Sequence, residues 1–189
     1  MKLSCSLILA LTLLGALEET QAQLPGYSVT VSPTNIVVGE AIMVRWTVPP
    51  GTFTLDDWVG LFAVTSADDQ YVTWKYTLLR GGETTFSAPE IPGLYNIRYF
   101  EIFETDSFHS HLAAVSATLT VRPLLTIGKK GAELQLAWQE NTMQFKLLSA
   151  TNLMTAFTLV TNTITRTNGI AYVSLPIPTA QVEGYFKLY

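Results

Sequence analysis

Between Ala41 and Val48 the chain alternates strictly. Ile42, Val44, Trp46 and Val48 fall on one side, and Met43, Arg45 and Thr47 on the other. Successive residues of a strand point to opposite faces, so the pattern describes a strand with one face in a core and one in water. A helix would divide these four apolar residues between two opposite sides. Pro49-Pro50-Gly51 then ends the strand, because proline cannot continue a ladder and glycine accepts the turn.

The next apolar run, Asp57-Trp58-Val59-Gly60-Leu61-Phe62, reads as the central strand of a β-sandwich, Trp58–Val64, with Trp58 as the plug of its core. Further strands are expected at Tyr27–Val31, Asn35–Val38, Tyr71–Leu78, Thr84–Ala88, Leu94–Phe103 and Leu112–Val121. Arg80-Gly81-Gly82 is expected to be a turn. Only 14% of residues are charged and 11% are aromatic. That balance favours pleated, half-buried surfaces over helix surfaces. Short strands with turn signals every ten residues or so match an immunoglobulin-like topology. Val44 and Ile97 then stand where antibody domains carry the inter-sheet disulfide. Tyr95, two residues before Ile97, stands where a corner tyrosine ties its hydroxyl to nearby backbone.

The segments Ile42–Thr47, Asp57–Phe62, Trp74, Pro92-Gly93-Leu94-Tyr95 and Arg98-Tyr99-Phe100 resemble the SKICH-like sandwich. They are also similar to the N-terminal β-sandwich of plant purple acid phosphatases. The resemblance covers about half the chain. It implies an adaptor, targeting or accessory domain that does no chemistry itself, and with no metallophosphatase domain following, it implies no phosphatase activity.

Arg122-Pro123 marks the expected end of this domain, at residues 23–122. Residues 123–189 read as a small antiparallel β-domain of about six short strands: Leu124–Ile127, Glu133–Trp138, Met143–Ser149, Phe157–Thr161, Ile170–Leu175 and Tyr185–Tyr189. Gly128-Lys129-Lys130-Gly131 reads as a turn, Ala150-Thr151-Asn152-Leu153 as a turn or one helical turn, and Asn168-Gly169 as a hairpin loop. Leu136-Ala137-Trp138, Ser149-Ala150-Thr151-Asn152-Leu153 and Tyr185-Phe186-Lys187-Leu188 resemble, in that order, small C-terminal β-modules of secreted bacterial proteins. The fold class expected for the whole chain is all-β.

Residues 1–22 have the order of a secretory signal peptide. Lys2 opens it, Leu7–Leu17 is apolar apart from Thr12 and Gly15, and Thr20-Gln21-Ala22 offers small residues before a cleavage ahead of Gln23. The apolar stretch is short of the roughly 20 residues that span a bilayer. The chain's single cysteine is Cys5, so a mature chain has no disulfide, thiolate metal site or cysteine nucleophile. The net charge of −4 is uneven: five basic and ten acidic residues in 23–122, five basic and three acidic in 123–189. No basic stripe exists for a phosphate backbone, so nucleic acid is not an expected partner.

Few groups here suggest chemistry. His109 and His111 share a strand face, and neutral imidazoles suit zinc or copper, with Glu101, Glu104 or Asp106 nearby. A metal site needs three or four ligands in fixed geometry, and the sequence puts only two in register. Asp56-Asp57 and Asp68-Asp69 are adjacent pairs that point apart in a strand, unlike carboxylates facing across a glycosidase cleft. They read as caps for loop N–H groups. No Gly-X-Ser-X-Gly occurs, and the only histidines lie together, so no catalytic triad is expected. No cofactor is expected.

Tyr71, Trp74 and Tyr76 are candidate binding residues, and so are Phe103, Phe108, His109 and His111 around the loop that follows the Leu94–Phe103 strand. By strict alternation Tyr71 joins Thr73 and Lys75, while Trp74 joins Val72 and Tyr76, and the plainer account makes Trp74 and Tyr76 core. The expectation is a secreted, non-catalytic binding protein of the bacterial cell exterior, with a polysaccharide or protein partner. A structural or adhesive component of a surface assembly comes second, and a metal-dependent enzyme using His109 and His111 third.

Overall fold

The computed structural model describes residues 23–102, 110–140, 144–177 and 184–189. The expected signal peptide, and Phe103, Phe108 and His109, lie outside the described residues. Nine strands make up the first half: β1 (Ser28–Ser32), β2 (Asn35–Val37), β3 (Ala41–Thr47), β4 (Trp58–Ala63), β5 (Tyr71–Tyr76), β6 (Gly81–Ser87), β7 (Gly93–Ile102), β8 (Ser110–Val115) and β9 (Leu119–Arg122). One sheet runs β1-β3-β6. The other runs β2-β9-β7-β4-β5, with β8 also on β7. The chain enters in the first sheet through β1 and crosses to the second, where β2 lies parallel to β9.

The alternation of β3 is realised: Ile42, Val44 and Trp46 are buried while their neighbours are exposed. They meet Val59, Leu61, Ile97, Tyr99, Leu119 and Val121 of the facing sheet in one cluster. Val44 and Ile97 are both fully buried there, apolar where a disulfide would otherwise cross. Tyr95 Oη donates to the Ile91 carbonyl at 2.7 Å, the corner tyrosine at the start of β7. Strand order, facing cores and corner tyrosine make this an immunoglobulin-like sandwich in an all-β chain.

Trp58 is not its plug. Val59 and Leu61 point into the sandwich, so Trp58, Gly60 and Phe62 point out of it. The indole in the core is Trp46, on the opposite sheet, whose Nε1 donates to the Leu79 carbonyl at 2.9 Å. Gly82 lies opposite Trp46, and a Cβ there would sit 3.1 Å from the indole. Gly81 and Gly82 pair with Thr47 and Trp46, so they belong to β6 and are not the expected turn. The chain reverses just before them, with Leu78 at φ 54°.

The last strand of the sandwich is also not continuous. β8 pairs with Arg98–Ile102 and β9 with Gly93–Tyr95. Between them the Ser116 amide donates to the Ile97 carbonyl, and its hydroxyl accepts from the Ile97 amide, both at 2.9 Å. One side chain thus replaces a ladder bond where the strand breaks.

The second half adds β10 (Thr126–Lys130), β11 (Glu133–Gln139), β12 (Leu147–Ala150), β13 (Thr158–Leu159), β14 (Thr165–Thr167), β15 (Ile170–Pro176) and β16 (Tyr185–Leu188). These form the sheets β10-β11-β15-β14 and β13-β12-β16. Leu136, Trp138, Leu147, Ala171, Val173 and Leu188 form a second cluster sharing no residue with the first. Gly128–Lys130, expected as a turn, continues β10 as an exposed strand. The reversal falls at Gly131, φ 64°. Asn168 and Gly169, at φ 52° and 75°, make the expected hairpin loop between β14 and β15. Asn152 Oδ1 accepts the amides of Met154 and Thr155, closing the expected turn.

A candidate binding face of stacked rings

Strand β4 is covered on both sides. Aliphatic Val59 and Leu61 fill the sandwich, and aromatic Trp58 and Phe62 lie on the outer face. Trp58 pairs across the ladder with Phe100 of β7, and the rings stack at 4.2 Å and 10°. Phe62 approaches Phe100 at 5.7 Å. Gly60 sits between the two outward rings of its own strand. A Cβ there would lie 2.6 Å from Phe62 and 2.8 Å from Trp58, so the rings close over a position only glycine leaves open.

Arg98, next outward residue on β7, seals the far side. Its guanidinium lies 4.5 Å over the Phe62 ring. It donates to Asp68 Oδ1 at 2.6 Å, the Ser66 carbonyl at 3.0 Å and Asn96 Oδ1 at 3.2 Å. The arginine side chain is almost wholly buried while the Asp68 side chain is 49% exposed. Asp68, expected as a loop cap, is thus an ion-pair partner of Arg98.

The edge strand β5 supplies the exposed rings: Tyr71 at 47%, Trp74 at 38% and Tyr76 at 50%. The burial expected for Trp74 and Tyr76 is not found, because these residues lie on the sheet's outer face and not between the sheets. Strict alternation also fails between Tyr71 and Thr73. Leu61 pairs with Thr73 but Phe62 pairs with Tyr71, leaving Val72 as an extra residue. That bulge returns Tyr71 to the face of Trp74. Trp58, Tyr71 and Trp74 form a triangle with centroids 6.0, 6.1 and 6.4 Å apart, each pair near 73°. Tyr76 meets Trp74 edge-on at 4.8 Å. Lys75 turns the other way: its Nζ donates to the Thr85 carbonyl at 2.7 Å.

Beside this face the loop end of β4 is fixed by Asp57, which is fully buried. Its carboxylate accepts from Tyr99 Oη at 2.9 Å, the Ile102 amide at 3.0 Å and Thr54 Oγ1 at 2.8 Å. The loop-capping role expected for it is present, with a cross-strand tie added. Burial pushes the Tyr99 hydroxyl far above its ordinary value; the Thr77 hydrogen bond opposes this and the Asp57 charge reinforces it. Tyr27, bonded to Glu101, is pushed up to about 12, chiefly by burial and then by that bond.

Of the other candidates, His111 is exposed on β8, opposite Glu101. Among the described residues no three His, Cys, Asp or Glu side chains converge on a metal position. No described helix is long and apolar enough to cross a membrane. The sequence reading missed Trp58, Phe62, Arg98 and Phe100 as parts of this face. The signal was present in Arg98 and Phe100, polar and aromatic residues alternating with core Ile97 and Tyr99.

No family model matches the chain, and no curated protein does. Among solved structures it is similar to the human OSCAR ligand-binding domain, at 16% identity and TM-score 0.35, covering 89% of this chain and 90% of that one. It is also similar to bovine butyrophilin, at 11% identity and TM-score 0.33, covering 86% and 91%. The D0-D1 domain of intimin matches at 13% identity and TM-score 0.31, covering 78% and 83%. The strand order and the corner tyrosine, and not these distant likenesses, carry the fold described above.

Proposed function

We propose that this chain is an extracellular, non-catalytic binding protein that holds its partner on the outer aromatic face of the first sandwich. One observation carries the reading. Tyr71, Trp74 and Tyr76 stand 38–50% exposed, backed by a rigid layer of Trp58, Phe62 and Phe100. Aromatic residues clustered in water are costly unless a partner covers them, and held rings lose little entropy on binding. The partner is a polysaccharide or a protein, since ring faces stack on either. The SKICH-like resemblance supports an adaptor role over catalysis, and the signal-like residues 1–22 support export.

The test is a glycan array and a pull-down with cell-surface polymers and proteins, run on the natural chain and on a Tyr71→Ala/Trp74→Ala/Tyr76→Ala variant. Capture that falls at least about tenfold in the variant supports the reading, an effect equal to roughly 1.4 kcal/mol. Capture equal in both chains removes the face from the function.

The adhesive reading has its own observation. β16 lies at the edge of its sheet, and the adjoining Tyr189 is 80% exposed. An uncovered edge is a template for pairing with another chain. A strict monomer by light scattering at high concentration excludes it.

A further inference from the structure

We infer that the aromatic face recognises a cation, and specifically an arginine-bearing segment of a protein partner. This rests on the face being the binding surface, and narrows what it binds. Trp58, Tyr71 and Trp74 are three rings set nearly perpendicular to one another with centroids 6.0–6.4 Å apart. Such a triangle does not present the coplanar strip on which successive sugar rings lie. The rings meet edge to face, and Tyr71 and Trp74 keep 47% and 38% of their surface exposed, which leaves aromatic surface that attracts a guanidinium or ammonium group.

The charge around the rings has the matching sign. Asp68 and Asp69 end the loop that leads into Tyr71, and both are exposed. Asp68 accepts from Arg98, whose guanidinium lies over Phe62, and stays 49% exposed, so acidic charge lies next to the ring layer. The basic groups carried by β5 and β7 themselves, Lys75 and Arg98, are already engaged. Arg98 is buried on Phe62, Asp68 and backbone carbonyls, and Lys75 is drawn to Thr85 and Phe86 on the other sheet. Residues 23–122 carry ten acidic and five basic residues, which steers a basic partner toward the domain and repels an acidic one. Arginine suits the site better than lysine, because its planar group stacks on one ring while donating to a carboxylate.

Arg98 on Phe62 shows the same chemistry within the chain itself. The outer face repeats its components: exposed rings on a strand that starts just after Asp68 and Asp69.

The experiment is isothermal titration of the full chain with a short peptide holding two arginines, and with the same peptide holding citrulline, which keeps the shape and removes the charge. Both are repeated on Trp74→Ala and Asp69→Asn chains whose folding is verified by circular dichroism. The citrulline peptide is expected to bind about tenfold more weakly or not at all, and Trp74→Ala to weaken the arginine peptide about fivefold. Equal binding of both peptides, lost in Trp74→Ala, overturns the cation while leaving the face as a binding surface. Arginine binding unchanged in Trp74→Ala is diffuse charge attraction and also overturns it. Failure of the arginine peptide while a neutral ligand is captured through Trp74 rejects it as well. If neither peptide binds and the ring variant changes no capture by any glycan or protein, the face itself is not the site.

Discussion

Trp58 lies face to face on Phe100, 4.2 Å apart, on the side of the sheet turned away from the sandwich interior. The stack stiffens a surface instead of filling a core. Trp46 has the opposite duty: it is 4% exposed, inside the cluster, with its N–H satisfied. Trp46→Ala is expected to cost about 3–5 kcal/mol, a large side chain deleted from a packed core. Trp58→Ala is expected to cost only about 1–2 kcal/mol, the aromatic contacts of a half-buried ring. Urea unfolding of the two variants checks the order. A Trp58 variant as damaged as the Trp46 variant contradicts this division of roles.

Gly60 makes a sharper test, because it touches the face without removing a ring. A methyl group at this position meets Phe62 at 2.6 Å and Trp58 at 2.8 Å. Both rings must shift, so Gly60→Ala is expected to destabilise by about 1–3 kcal/mol, the cost of overpacking. It is also expected to alter the near-ultraviolet circular dichroism of the stacked rings, while far-ultraviolet signal keeps its β form. Unaltered near-ultraviolet bands mean that the rings are not closed over the glycine.

The tyrosines beneath the sheet set a limit at high pH. Tyr27 and Tyr99 both have hydroxyl pKa values raised in the folded chain above the ordinary 10.0, and Tyr27 is pushed up to about 12. Between those values the unfolded chain has lost these protons and the folded chain keeps them. Stability is therefore fully present below pH 10 and falls as pH rises toward 12 and beyond. Tyr99→Phe is expected to be less stable at pH 7, since it takes from buried Asp57 a donor worth about 1–3 kcal/mol. It is also expected to lose stability less steeply above pH 10 than the natural chain. Parallel declines in the two chains place the titration elsewhere.

How far these features were readable depends on what covers each strand face. β3 was legible because one face meets a core and the other meets water, so composition alone separates Ile42, Val44 and Trp46 from Met43, Arg45 and Thr47. β4 was not, because both faces are apolar. Alternation puts Trp58 opposite Val59 but does not say which side is inside. Size is a poor guide here: a large ring such as Trp58 suggests a core, while the space between the sheets is taken by Val59, Leu61, Ile97 and an indole from the other sheet. The meeting of Tyr71 with Trp74 hangs on one extra residue in β5, and a bulge of that kind leaves no mark on composition. The corner tyrosine and the Asn168-Gly169 loop were legible because each is local: a hydroxyl four residues from its acceptor, and two adjacent residues at positive φ.

That hairpin separates the two clusters experimentally. Asn168 holds φ 52° at the first position of the loop, where asparagine is tolerated and alanine is strained. Asn168→Ala is expected to cost about 1–2 kcal/mol. The loss is expected to fall on the second cluster, because β15 pairs with β14 on one side and with β11, which carries Leu136 and Trp138, on the other. In hydrogen exchange read by mass spectrometry, amides of β11 and β15 are expected to exchange faster while those of β3 and β7 keep their rates. Trp46→Ala is expected to do the reverse. The clusters share no side chain, so each variant should loosen its own sheets. Equal loosening of all four strands by Asn168→Ala means that the halves unfold as one cooperative unit, joined across the short segment between Arg122 and Thr126.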